Sequence, residues 1–227
     1  MITQPPVIEL KGIWRRFGTD PPFDALVGVD LAVQRGEWLA IAGPSGSGKS
    51  TLLNIMGLLD IQTAGTYHFN GIEVAGLKDQ QRAGLRSRAI GFVFQAFHLI
   101  AHRTVLENVM LADIYRKYPR SERSERALAA LTQVGLSRRA DYLPTRLSGG
   151  ERQRAAIARA IMGSPRVLLC DEPTGNLDSA TTASILDLFG ELNRSGLTVV
   201  TITHEADVAQ RANRQLRIVD GKIEEPQ

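Results

Sequence analysis

The chain has 227 residues, 43% of them hydrophobic and 22% charged, a composition that excludes a disordered or fibrous protein and is long enough to bury a core without staples. Its net charge of +3 gives no argument for nucleic acid, and the densest basic stretches, residues 116–126 and Arg138-Arg139, alternate with acids or lie near turns and read as solvated faces. One cysteine, Cys170, cannot close an internal disulfide and fits a reducing compartment; no apolar run approaches the roughly 18–20 residues of a membrane span, and residues 1–10 lack the basic-then-apolar pattern of a signal peptide.

The first strand-like run is residues 38–42 (WLAIA). It ends at Gly43-Pro44-Ser45-Gly46-Ser47-Gly48-Lys49-Ser50, which fits G-x-x-x-x-G-K-[ST], and a helical run from Thr51 to Leu58 follows. Strand, glycine loop and helix together are the context this phosphate-binding motif requires. The glycines let several N–H groups converge, the helix N-terminus adds partial positive charge, Lys49 adds a full charge, and Ser50 offers a hydroxyl to Mg²⁺. A second buried strand is expected at 90–94 (IGFVF), just before Gln95. His98 and His102 lie four apart, but no Cys or carboxylate completes a metal site around them.

From Thr104 to Ser164 no strand is expected. Ala127, Leu128, Leu131 and Val134 predict an amphipathic helix stopped near Gly135, and residues 152–162 predict another stopped near Gly163-Ser164-Pro165. Ser148-x-x-Glu151 is a capping-box pattern, with Gly149 and Gly150 leaving N–H groups uncovered. A third strand, 167–170 (VLLC), ends in Asp171 and Glu172. A carboxylate there lies at the C-terminal edge of a parallel sheet, where ligands of such folds bind. Asp171 is the candidate for holding Mg²⁺ and Glu172 for polarising the attacking water. Ile185, Leu188, Phe189 and Leu192 predict a helix ending before Ser195-Gly196, and a fourth strand follows at 198–202 (TVVTI). Continuous apolar runs alternating with helices predict an α/β fold around a sheet covered on both faces.

The segment Leu147-Ser148-Gly149-Gly150-Glu151-Arg152-Gln153-Arg154 resembles the signature of the ABC ATPases. That resemblance runs from about Val7 to Lys222 and implies one ABC ATPase domain over 1–227. Its P-loop core, 1–96 and 164–227, has a mostly parallel sheet with an N-terminal antiparallel β portion, and 97–163 is an inserted helical subdomain. It implies further roles by position. Gln95 resembles the Q-loop glutamine, near Mg²⁺ and the partner-docking groove. Asn176-Leu177-Asp178 resembles the D-loop at the dimer interface. His204 resembles the switch histidine at the γ-phosphate; here Glu205 follows where Asp is commoner. Phe17 stands where the family often stacks a tyrosine on adenine, and Phe23 is a second candidate. Residues 57–71, 94–109 and the DEPTGNLD block look most like the MacB/LolD-type group of macrolide exporters and lipoprotein-releasing complexes.

The resemblance implies ATP and Mg²⁺ as ligands, an ATP-bound homodimer that places Ser148, Gly149, Gly150 and Glu151 in trans, and integral-membrane permease partners docked near Gln95 and the helical subdomain. It also implies a location at the cytoplasmic face of the inner membrane, held through the permease. A cell-division regulator of wall hydrolysis has a closely similar ATPase. DNA-repair ATPases with this signature need long coiled coils or zinc cysteines between the two halves of the site, and ribosome-acting relatives usually carry two cassettes; this chain has neither feature.

Overall fold

The structure is a computed structural model and describes residues 5–114, 116 and 118–224. Met1 to Gln4 (part of the segment read for a leader), Tyr115, Lys117 (within the basic run) and the last three residues lie outside that description. In chain order come β1 (Ile8–Phe17), β2 (Phe23–Val33), β3 (Trp38–Ala42), α1 (Lys49–Met56), β4 (Ala64–Phe69), β5 (Ile72–Glu73), α2 (Asp79–Ala89) and β6 (Ile90–Phe94). There follow α3 (Val105–Met110), α4 (Arg120–Gln133), α5 (Gly149–Ile161), β7 (Val167–Asp171), α6 (Ser179–Arg194), β8 (Thr198–Thr203), α7 (Ala206–Gln210), β9 (Arg214–Val219) and β10 (Lys222–Glu224). Among the described residues between β6 and β7 there are helices and turns and no strand.

The strands form two sheets. One is antiparallel in the order β2-β1-β4-β5; the other runs β10-β9-β3-β8-β7-β6 and is parallel except for β10. The alternation of side chains explains why the parallel strands read as unbroken apolar runs. In β7, Val167 and Leu169 face the core shared with the antiparallel sheet and α1. Leu168 and Cys170 face the other side, against the helical elements. In β8, Val200 and Ile202 face the first core and Val199 the second. Cys170 is fully buried, and burial pushes its thiol well above the ordinary range.

Two arginines of the basic stretch 116–126, Arg116 and Arg126, depart from the solvated face expected of it, while residues 118–122 are exposed as expected. Asp113 is completely buried, and Arg116 and Arg126 approach it at 3.2 and 2.9 Å. Arg116 also donates to the carbonyl oxygens of Ser87 and Gly163, and Arg126 to that of Met162. The two guanidiniums therefore compensate a buried carboxylate and tie the end of α5 and the end of α2 to the helical region.

Candidate functional site

Strand order positions the site. β3, β8, β7 and β6 are neighbours, and their C-terminal ends are level: Ala42 pairs with Thr203, Ile202 with Asp171, and Asp171 with Phe94. The residues that follow these ends, the glycine loop, His204, Glu172 and Gln95, are thereby brought to one edge of the sheet. This is the crevice in which open α/β sheets bind ligands.

The glycine loop is built by two close approaches. A Cβ on Gly43 would lie 2.2 Å from the Ile218 carbonyl oxygen, and one on Gly48 would lie 2.4 Å from that of Ala25. Gly48 also takes φ +101° as the N-cap of α1, a conformation that only glycine adopts freely. The N–H of Gly221, in the turn before β10, donates to the Ser47 carbonyl at 3.0 Å and pins the loop from outside. Lys49 is buried and its Nζ donates to the Gly43 and Pro44 carbonyls at 2.8 and 2.7 Å, which holds the charge over the loop. The helix starts at Lys49, two residues before the expected Thr51.

A cavity of about 660 Å³ opens at this loop, lined by Phe23, Ala25, Ser45, Gly46, Gly48, Lys49, Ser50, Thr51, Glu172 and His204. Glu172 has φ +45°, in the left-handed region; its N–H donates to the Ile202 carbonyl at 2.9 Å and its carbonyl accepts from Gly175 at 3.2 Å. Its Oε1 lies 2.9 Å from Nδ1 of His204. Asp171 beside it is half-buried. Burial first, then the Glu172 charge, raise its carboxyl above the ordinary range, and the Lys49 charge opposes that shift.

Of four other expected residues, Phe23 lines this cavity, and Gln95, Phe17 and Asp178 are not among its lining residues. Gln95 is turned toward the segment after Glu172: its Nε2 is 3.5 Å from Oδ1 of Asn176, and Asn176 Nδ2 donates to the Gln95 carbonyl at 3.1 Å. Phe23, the second aromatic candidate, lines the cavity, and Phe17 is its cross-strand partner. One face of the Phe17 ring is covered by the Arg15 guanidinium, 4.2 Å from the ring centroid, and Asp60 accepts from Arg15 Nε at 2.8 Å. Asp178 accepts from the Thr181 N–H at 2.9 Å and from Thr181 Oγ1 at 2.7 Å, so it is the N-cap of α6.

The capping box is present. Ser148 Oγ accepts from the Glu151 N–H at 3.2 Å, and the Ser148 N–H donates to Glu151 Oε2 at 2.9 Å. α5 starts at Gly149, earlier than the expected Arg152. Gly150 has a packing reason as well as an open N–H: a Cβ there would lie 2.5 Å from Thr181 Cγ2. None of Ser148, Gly149, Gly150 or Glu151 lines the cavity at Lys49. Sequence reasoning missed two connectors. Gln153 is fully buried and donates to the Pro173 carbonyl at 2.6 Å, joining α5 to the acidic segment, and Arg139 donates to Glu151 at 2.9 Å. Gln153 fell inside the quoted signature; Arg139 carried no signal beyond its charge.

The family model for ABC transporters matches residues 26–175. The chain is 52% identical over 195 residues to the uncharacterised ABC transporter ATP-binding protein YvrO of Bacillus subtilis, covering 86% of this chain and 85% of that one. It is 47% identical to the macrolide export ATP-binding/permease protein MacB of Rhodospirillum rubrum, covering 98% of this chain and 34% of the relative, so it spans about a third of that protein. The solved dimer of the ATP-binding cassette MJ0796, in a post-hydrolysis state bound to ADP and Pi, superposes with a TM-score of 0.87 at 40% identity, over 96% of this chain and 98% of that one. With its phosphate loop, acidic pair and capped signature helix in the places described, the chain belongs to the ABC transporter family, as an ATPase domain of the MacB-like group.

Proposed function

We propose that two copies of this chain close head to tail over two molecules of ATP and hydrolyse them to power a membrane permease in export or mechanotransmission. One observation carries the dimer: the cavity holds the phosphate loop, Glu172 and His204, but no part of the signature turn. A second helix N-terminus suited to phosphate, at Ser148, is thus left for a partner's nucleotide. In this reading Lys49 and the loop amides hold the β and γ phosphates, and Thr51 and its neighbours extend the loop's contacts along α1. Phe17 stacks on adenine with Phe23 beside it. Glu172 accepts the proton of the water that attacks the γ phosphorus, so the bond to the β–γ bridging oxygen breaks and ADP and phosphate leave. His204 orients that carboxylate and reaches the γ phosphate. Asp178 stands at the copy-to-copy interface.

The residues present fit a Mg²⁺ ion. Asp171 is a half-buried carboxylate next to a second, Glu172, whose charge helps raise its pKa, and Lys49 is the cation that opposes that shift. Ser50 and Asp171, with Gln95 once it leaves Asn176, would hold the ion, which neutralises phosphate charge.

The permease would dock beside Gln95, in a groove of about 490 Å³ between the β6 end and α5, lined by Phe92, Phe94, His98, Arg159 and Ala160 among others. Among the described residues no helix is long and apolar enough to cross a membrane. The chain would then sit at the cytoplasmic face of the membrane, held through that partner. The test is affinity purification of the tagged chain from solubilised membranes. An integral partner with few spans and a large extracytoplasmic part is expected; recovery of the chain with no integral protein would overturn the permease reading.

A further inference from the structure

The signature turn of this chain contains a negative charge, Glu151, three residues into the N-terminus that would meet a phosphate. A carboxylate in the first turn stabilises its own helix, but it also competes with an incoming anion for the same positive helix end. Both oxygens of Glu151 are committed: Oε2 accepts from the Ser148 N–H at 2.9 Å and Oε1 from Arg139 Nε at 2.9 Å. Arg139 lies on the short turn Ser137–Arg139, and its guanidinium rests 4.7 Å from the Tyr142 ring centroid. That turn is itself fixed, because the N–H groups of Val105 and Leu106 at the start of α3 donate to the carbonyls of Tyr142 and Ala140 at 2.8 and 2.9 Å.

We propose that Arg139 is a positioning residue for the signature turn: it holds and neutralises Glu151, so that the N-terminus of α5 can accept the phosphate of the nucleotide bound by the partner copy. This rests on the head-to-tail reading above. The Ser148 N–H bond foremost, and Arg139 after it, lower the Glu151 pKa, so the carboxylate is charged at neutral pH and its compensation matters. With Arg139 in place the pair is neutral. Without it an unpaired carboxylate faces the γ phosphate.

The test is steady-state hydrolysis by the full chain with variants Arg139→Met, Arg139→Met/Glu151→Gln and Ser148→Arg. Met retains an unbranched apolar stem against Tyr142. Arg139→Met should raise KM for Mg²⁺–ATP roughly three- to tenfold, with a smaller change in kcat. Adding Glu151→Gln should recover most of that rise, because Gln keeps the capping bond and removes the charge. A loss of folded protein would lower kcat and the melting temperature and leave KM in place. An unchanged KM for Arg139→Met, or a double variant with KM as high as the single one, would overturn the inference while Ser148→Arg still raises KM. If Ser148→Arg also leaves KM unchanged, the signature does not meet nucleotide and the head-to-tail reading falls with it.

Discussion

Gly150 offers the most direct test of how the signature helix is packed. It lies in the first turn of α5, and a Cβ there would sit 2.5 Å from Thr181 Cγ2, more than 1 Å inside ordinary contact. Thr181 cannot simply rotate away, because its Oγ1 and N–H both bond to Asp178, the N-cap of α6. Gly150→Ala therefore opposes two effects. Alanine gains about 1 kcal/mol of helix propensity over glycine. Overpacking costs about 1–3 kcal/mol. The net should be a destabilisation of about 1 kcal/mol, with loss of ATPase activity as the two helix N-termini are forced apart. Thr181→Ser removes the clashing methyl and keeps the hydroxyl on Asp178. In the double variant the clash disappears while the propensity gain remains, so a double-mutant cycle should show a favourable coupling equal to the overpacking cost, about 1–3 kcal/mol. Urea unfolding of the four proteins measures it. A coupling under about 0.5 kcal/mol, the scatter of independent sites, would refute the packing argument.

Three further outcomes follow from the site. Glu172→Gln keeps the shape but is a far weaker base, so hydrolysis should fall by about 10²- to 10⁴-fold while ATP binding persists and an ATP-bound dimer accumulates on gel filtration; normal turnover would refute the role. Asp171 has its pKa raised on folding, so it is destabilising once ionised: the penalty is absent at pH values below its unfolded pKa and grows as pH rises through the folded one. Asp171→Asn should therefore melt higher than the parent at neutral pH, lose that advantage below about pH 4, and lose Mg²⁺-dependent hydrolysis; an equal or lower melting temperature at neutral pH would contradict the burial argument. Phe17→Ala should weaken nucleotide binding more than Phe17→Tyr in a calorimetric titration, since stacking needs a ring and not a hydroxyl; equal affinities would move the role to Phe23.

The four strands that frame the site were legible because their apolar runs are short, continuous and bounded by the very motifs they position. Other elements were quieter for physical reasons. β1 and β2 are long but irregular, with register shifts near Gly12 and Gly28, so period-2 alternation is broken where it would be read. α2 buries only Ala89 and is polar nearly all round, so it carries no apolar stripe. β9 and β10 form a short hairpin whose exposed residues, Gln215, Arg217, Lys222 and Glu224, are polar or charged. At the site, the glycine loop, acidic pair and capping box could be read because each needs a fixed spacing. The partners that hold them could not: Arg139 meets Glu151 across 12 residues, Gln95 meets Asn176 across 81, and the buried Asp113 lies between two arginines that looked like surface charge. Such contacts depend on folding and leave no local pattern.

The central claim is that each nucleotide site is assembled from the phosphate loop of one copy and the signature turn of another. Mixed dimers pairing a Lys49→Ala chain with a Ser148→Arg chain test it, because the two geometries distribute the lesions differently. If sites form in trans, both lesions fall in one site, and the other keeps Lys49 from one copy and Ser148 from its partner. If each site forms within one chain, every site carries one lesion. Counting nucleotide trapped in purified mixed dimers reads out the number of intact sites without requiring both to turn over. About one tightly held nucleotide per mixed dimer is the expected result; mixed dimers that trap no more than either single variant would contradict the account.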